Sequence, residues 1–245
     1  MSNIIAVVSG KGGTGKTSFT ANVGLALSVM GYKTLCLDCD VTLRNLDLAP
    51  GLSDRAVMDF SDVAKGRCSL AEAVVGSEKY PNLHLLSAPL CDGDPDVTSQ
   101  QMQALAAEIR ERYTYCLIDA PAGLGTGFRL ATAMADSVVV VTTTDASALR
   151  DAQRTVMELK RFPVGRVHLV VNRVEKKLLH TMHMTIDDAI DTAGLPLLGV
   201  VPEDKDIPYA LNRGIPLREC NYFAERAYEN IAKRLVGRRA PLLKI

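Results

Sequence analysis

The chain has 245 residues, 47% hydrophobic and 23% charged, enough for one α/β domain with a core that needs no disulfide or structural metal. Its 28 basic and 28 acidic residues cancel, which argues against a nucleic-acid coat held by net charge. No apolar run is long enough for a membrane span, and the five apolar residues before the first glycines are too few for a signal peptide. A soluble protein of the reducing cytoplasm is expected.

Ile4 to Val8 is apolar throughout and reads as a buried parallel strand, covered on both faces. It runs into Gly10-Lys11-Gly12-Gly13-Thr14-Gly15-Lys16-Thr17-Ser18 and then a helix-like stretch, Lys16 to Met30, closed by Gly31. Glycines between a strand and a helix let backbone N–H groups converge on phosphate oxygens at a helix N-terminus. In such a P-loop Lys16 reaches the β- and γ-phosphates and the Thr17 hydroxyl ligates Mg²⁺. Lys11 is not required by an ordinary P-loop. Its cation cannot easily reach phosphates wrapped by its own loop, but it could reach those of a second subunit, as an arginine finger supplied in trans does.

The next strand, Thr34 to Leu37, ends in Asp38-Cys39-Asp40. Parallel strands present ligands at their carboxyl ends, beside the phosphate loop. One carboxylate can order metal-bound water while the other holds the attacking water. Cys36 and Cys39 form a C-x-x-C spacing, but alternation points them to opposite faces and no second Cys/His pair completes a metal site. All six cysteines (Cys36, Cys39, Cys68, Cys91, Cys116 and Cys220) are read as reduced.

Further along lie a strand at Leu83 to Leu86, a loop at Leu90 to Asp96 and a helix at Ser99 to Arg112. The strand Cys116 to Ile118 follows and ends at Asp119. An apolar strand ending in Asp before Ala120-Pro121-Ala122-Gly123 has the Walker B arrangement, with Asp119 bonded to metal water. The Gly123 N–H could approach a γ-phosphate, making this a segment that senses it. A strand at Ser137 to Thr142, a helix at Ala146 to Phe162 and a strand at Val167 to Val171 come next. The last of these ends in Asn172-Arg173, where an Asn side chain can pair with adenine. A helix at Met184 to Ala193 precedes the strand Leu197 to Val201, whose Pro202-Glu203-Asp204 end could line the base. The chain closes with a helix at Tyr222 to Leu235 and a flexible tail at 236–245. Strands alternating with helices predict a three-layer sandwich, a mostly parallel sheet with helices on both faces, over residues 1–245 as one P-loop domain.

The form K-G-G-x-G-K-T at Lys11 to Thr17 resembles the deviant Walker A (MinD/ParA) family of P-loop ATPases. The run Asp40-Val41-Thr42-Leu43-Arg44-Asn45-Leu46-Asp47-Leu48 is similar to the D-x-G-L-R-N-L-D-L of its MinD branch, with Thr42 in place of glycine. Val57 to Phe60, Asp119 to Gly123, Ser147 to Arg154 and Val200 to Asp204 match in the same order. The resemblance covers about Asn3 to Leu235. It implies an ATP phosphohydrolase that uses Mg²⁺ and pairs as an ATP-dependent homodimer. Lys11 is then the trans-acting signature lysine and Asp40 the switch residue tied to hydrolysis. Asp38, Asp40, Asp119 and Thr17 surround the metal, Asn172, Arg173 and Pro202 to Asp204 surround the base, and Asp151 lies near the dimer face.

Division-site placement or related spatial positioning in bacteria is the implied role, with MinC-like or MinE-like protein partners and no sequence-specific nucleic acid. Peripheral contact with the inner face of the cell membrane is implied too. Here the tail departs, because Gly237 and Pro241 interrupt any helix. Arg238, Arg239, Leu242, Leu243 and Ile245 fit a frayed terminus and a weak membrane contact equally. A ParA-like positioning ATPase, acting on DNA through Arg150, Arg154, Lys160 and Arg161 or Arg234, Arg238 and Arg239, is the alternative, as is a flagellar-number regulator. An iron–sulfur carrier needs a cysteine after the Walker B strand, and Pro121 to Met134 holds none.

Overall fold

A computed structural model describes residues 3–41, 46, 57–90, 95–175 and 185–243. The chain lays down an eight-stranded sheet in the order β3-β4-β2-β5-β1-β6-β7-β8. The strands are β1 Asn3–Val8, β2 Thr34–Asp38, β3 Val75–Gly76, β4 Leu83–Leu86, β5 Tyr115–Asp119, β6 Ser137–Thr142, β7 Arg166–Val174 and β8 Leu197–Pro202. All pairs are parallel except the two-residue edge strand β3 on β4. The helices are α1 Lys16–Val29, α2 Phe60–Ala64, α3 Leu70–Ala73, α4 Ser99–Arg112, α5 Thr126–Met134, α6 Ala146–Leu159, α7 Ile186–Ala193, α8 Asp206–Arg213 and α9 Tyr222–Leu235. A 3₁₀ turn at Leu217–Glu219 precedes the last.

The continuous apolar runs conceal a period of two. Ile4, Ala6 and Val8 face one core with Leu35, Leu37, Ile118, Val138 and Val140, which α4, α5 and α6 cover. Ile5 and Val7 face the other with Leu117, Val139 and Val141, under Phe19, Val23 and Leu27 of α1 and Tyr228 and Ile231 of α9. Each inner strand therefore buries both faces, which is why no polar alternation marks it. Cys36 and Cys39 fall in different cores, as opposite directions on a strand require, and all five described cysteines are free. Cys91 lies outside the described residues.

All seven expected strands and all five expected helices are present, with ends shifted by a few residues. Lys16 to Met30 ends at Val29, because the Met30 and Gly31 N–H groups turn back onto the Ala26 and Ser28 carbonyls. Ala146 to Phe162 ends at Leu159. The helix expected from Met184 begins at Ile186, where Thr185 and Asp188 form a reciprocal cap; Met184 is outside the described residues.

The tail does leave the helix at Gly237. The Arg238 N–H bonds back to the Lys233 carbonyl, and the Arg234 guanidinium holds the carbonyls of Ala240, Leu197 and Leu198. Leu243 packs on the second core, while Leu242 stays exposed. The tail is thus tied back to the domain at Arg238, Ala240 and Leu243. Among the described residues no helix is long and apolar enough to cross a membrane.

The strand order places the site. β1 sits between β5 and β6, and the chain crosses over β5 to reach β2 and over β1 to reach β6. The carboxyl ends of β1, β2 and β5 therefore open side by side where the winding changes direction, the usual crevice of an open α/β sheet. The register sets Asp119 beside Val7 and opposite Asp38.

Candidate nucleotide site

The loop between β1 and α1 is held from outside at two points. A Cβ on Gly10 would lie 2.4 Å from the Asp151 carbonyl oxygen of α6, so the backbone there touches the helix directly. Gly15 stands at φ 88°, and a Cβ on it would lie 2.2 Å from the Asn172 Nδ2. That amide is buried and donates to the Thr14 carbonyl at 2.7 Å. Asn172, expected at the base, thus tethers the phosphate loop with its nitrogen, and its Oδ1 is buried without a partner.

Lys16 is buried, its Nζ donating to Ser9 Oγ at 2.9 Å. Burial lowers its pKa, against the opposing pull of Asp119 and Asp40. Phosphates would supply the anion it lacks. Ser9 escaped the sequence reading, although its place at the strand end just before Gly10 was a signal. Lys11 points elsewhere: its Nζ reaches Ser147 Oγ on α6 at 3.1 Å, in an exposed position outside its own loop.

The carboxylates divide the work. Thr17 Oγ1 donates to Asp119 Oδ2 at 2.6 Å, while Asp119 Oδ1 is buried with no partner. Thr17 with a buried, half-satisfied carboxylate fits a magnesium ion, which takes one or two protein oxygens and completes its shell with phosphate and water.

Asp38, also buried, spends both oxygens on backbone: Oδ1 accepts from the Asp40 N–H at 2.8 Å and Oδ2 from the Leu46 N–H at 3.2 Å. Burial and the neighbouring Asp119 push its pKa well above the ordinary carboxylate range, against those two N–H donors. Asp40 lines the cleft with Gly12, Gly13, Gly15 to Ser18 and Ala122. The remainder of the run Thr42 to Leu48, Leu46 excepted, lies outside the described residues.

Gly123, at φ 85°, donates its N–H to the Ser9 carbonyl at 3.1 Å. That bond must break if the N–H is to meet a phosphate. On the base side Arg173 holds a left-handed backbone, φ 57°, which costs about 1–2 kcal/mol for a residue with a Cβ. Its guanidinium offsets this with two bonds to Glu203, at 2.7 and 3.1 Å, and one to the Gly13 carbonyl at 3.2 Å. Pro202, Glu203 and Asp204 line the same cleft, joined by Ile207 and Pro208 of α8, which no sequence pattern had singled out.

A strand-loop-helix phosphate cradle beside two buried carboxylates is shared by many nucleotide-binding proteins; the comparisons narrow it. Residues 5–217 match the CobQ/CobB/MinD/ParA nucleotide-binding domain. The septum site-determining protein MinD of Synechocystis is 39% identical over 99% of this chain and 92% of its own length. The chain belongs to the MinD/ParA family.

MinD in the Aquifex aeolicus MinC:MinD complex superimposes with a TM-score of 0.91 at 32% identity, covering 99% of both chains. The Pyrococcus horikoshii MinD, solved with Mg-ADP, gives a TM-score of 0.84 at 30% identity over 96% of each chain. Family membership makes the chain an ATPase that uses ATP and Mg²⁺.

One pH dependence follows from Asp119. Burial raises its pKa to about 6, opposed by the Thr17 hydroxyl and Lys16. A raised carboxylate pKa means the folded chain holds a proton that the unfolded chain has lost between about pH 4 and 6, so this group lowers stability as pH rises through that window. Metal binding runs the other way, since the protonated acid cannot face a cation. Mg²⁺-dependent tightening of ADP binding, followed by calorimetry, is expected to fade as pH falls below about 6, while metal-free ADP binding changes little. An equal loss with and without Mg²⁺ would contradict this assignment.

Proposed function

We propose that this chain is a MinD-type switch ATPase, which pairs with a second copy when ATP is bound and separates after hydrolysis, and which serves division-site placement. Lys11 carries the reading. It is a cation of the phosphate loop that lies on α6 at Ser147 instead of in its own cleft. From that exposed position it can exchange Ser147 for a facing subunit's phosphates.

In this cycle Lys16 and the loop N–H groups hold the phosphates, and Thr17 and Asp119 would hold Mg²⁺, which would neutralise phosphate charge. Asp40 orients the attacking water. Gly123 gives up the Ser9 carbonyl for the γ-phosphate, so that the segment after Asp119 reports whether it is there. ATP can favour the dimer only through contacts that ADP lacks, and the Lys11 and Gly123 contacts are of that kind.

A MinC-type partner on the ATP dimer is part of this reading, supported by the assembly of the Aquifex relative. So is peripheral attachment at the inner face of the membrane through the tail, where Arg238, Arg239 and Leu242 are outward-facing. The basic residues proposed for DNA contact fit less well: on α6 and just beyond it, Arg154 pairs with Asp151 and Arg161 with Glu158.

The test traps the ATP state with Asp40→Ala. Sedimentation velocity is expected to show dimers in Mg-ATP and monomers in Mg-ADP, and cosedimentation with anionic liposomes to follow the same nucleotide. Monomers in both nucleotides would remove the switch. Dimers that ignore liposomes would leave the switch and remove the membrane step.

A further inference from the structure

Asp38, at the end of β2, makes more backbone contacts than phosphate or metal binding requires. Asp38 accepts from the N–H of Asp40 with one oxygen and from the N–H of Leu46 with the other. Asp40 and Leu46 are thus clamped to one buried carboxylate. The near clamp holds the backbone of Asp40, and the far one ties Leu46 to the same carboxylate.

Leu46 is seated in turn. Its side chain is 1% exposed and packs with Cys36, Leu83 and Leu85, against Ala21 and Leu25 of α1. A cavity of about 80 Å³ borders this seat. It is smaller than the roughly 150 Å³ of an apolar cavity that admits benzene. It leaves space beside the seated side chain.

We propose that Leu46 is a positioning residue for ATP hydrolysis: seated between α1, β2 and β4, it fixes through Asp38 where Asp40 stands in the cleft. The proposal rests on the role given to Asp40 above. It assigns Asp38 to bracing the loop, which explains why a buried carboxylate beside the metal site turns both oxygens to backbone N–H groups. Truncating Leu46 frees the far end of the brace, and Asp40 then samples positions off the attacking water's line. Nucleotide binding, made by Gly12 to Ser18, does not depend on it.

The test compares steady-state hydrolysis and calorimetric ADP affinity in four variants. Leu46→Ala is expected to lower kcat roughly 10–100-fold, the scale for a reacting group displaced by about an ångström, with the Kd for Mg-ADP within about twofold of the parent, as conservation of the phosphate cradle requires. Leu46→Met, unbranched and of similar volume, is expected to restore most of kcat, using the adjacent space. Leu105→Ala, buried in the other core and away from this seat, is expected to lose thermal stability and keep kcat.

Asp40→Ala reports separately on the parent reading: hydrolysis that survives it removes the role of Asp40. With Asp40→Ala inactive, a Leu46→Ala protein of normal kcat overturns the proposal. So does equal loss of kcat in Leu105→Ala, or loss of ADP affinity in step with kcat. If Leu46→Ala does not fold, Leu46→Val carries the same comparison.

Discussion

Replacing Lys16 with alanine is expected to reduce ATP hydrolysis by about 10³-fold or more, the scale seen when a preorganised charge facing a developing anion is removed. The ammonium is buried, held by Ser9 and faced by Asp119 and Asp40. Its desolvation has been met in folding and costs nothing at the moment of reaction. Alanine also removes the cation nearest Asp119, so two carboxylates confront the incoming phosphates unscreened. Affinity for Mg-ATP is therefore expected to fall about 100-fold, in line with losing a charge-assisted phosphate contact in a closed site. Far-UV circular dichroism should be unchanged. Hydrolysis within a few-fold of the parent would show that the phosphates lie elsewhere.

A change of one methyl group should be almost as damaging at Gly15. A Cβ there meets the Asn172 Nδ2 at 2.2 Å and imposes a side chain on a backbone at φ 88°. The left-handed conformation alone costs about 1–2 kcal/mol. Asn172 must also release the Thr14 carbonyl, leaving buried polar groups unpaired at a further ~1–3 kcal/mol. Part of this falls on the fold and part on the loop, so Gly15→Ala is expected to lower the urea midpoint and to weaken ADP binding at least about tenfold. Gly13 has a similar φ of 78° but nothing within 4 Å of its Cβ position, so Gly13→Ala isolates the conformational part. Equal effects at the two positions would deny the tether by Asn172.

What the sequence disclosed was what is contiguous in it. Strands buried on both faces read as unbroken apolar runs, so β1, β2, β5 and β6 were legible although their alternation between two cores was not. The helices α4 and α9 have the ends that their spacing predicts, and in the structure Thr98 and Asn221 cap their starts. Short helices escaped: α2 has five residues and α3 four, too few for an amphipathic period. Their signal lay in the reciprocal caps Asp59 with Asp62 and Ser69 with Glu72. The two-residue strand β3 carried no pattern at all. α5, after a glycine-rich stretch, and α8, which contains Pro208, were not among the expected helices.

The site divides in the same way. The phosphate loop, Asp38, Asp40 and Asp119 are motifs and could be named. The contacts that set their behaviour join residues far apart in the chain: Lys11 with Ser147, Asn172 with Thr14, Arg173 with Glu203 and Gly13. Spacing gives no access to these. They also alter expectations, since the Asn172 nitrogen serves the loop and the Gly123 N–H rests on Ser9.

The central claim, that Lys11 serves the neighbouring subunit's nucleotide, is tested most directly by adding Lys11→Ala to the Asp40→Ala protein and measuring its mass in Mg-ATP by sedimentation velocity. The account predicts a monomer that binds ATP as tightly as the Asp40→Ala protein alone, because Lys11 lies outside its own phosphate cradle. An ATP-dependent dimer of undiminished stability in the double variant would contradict it.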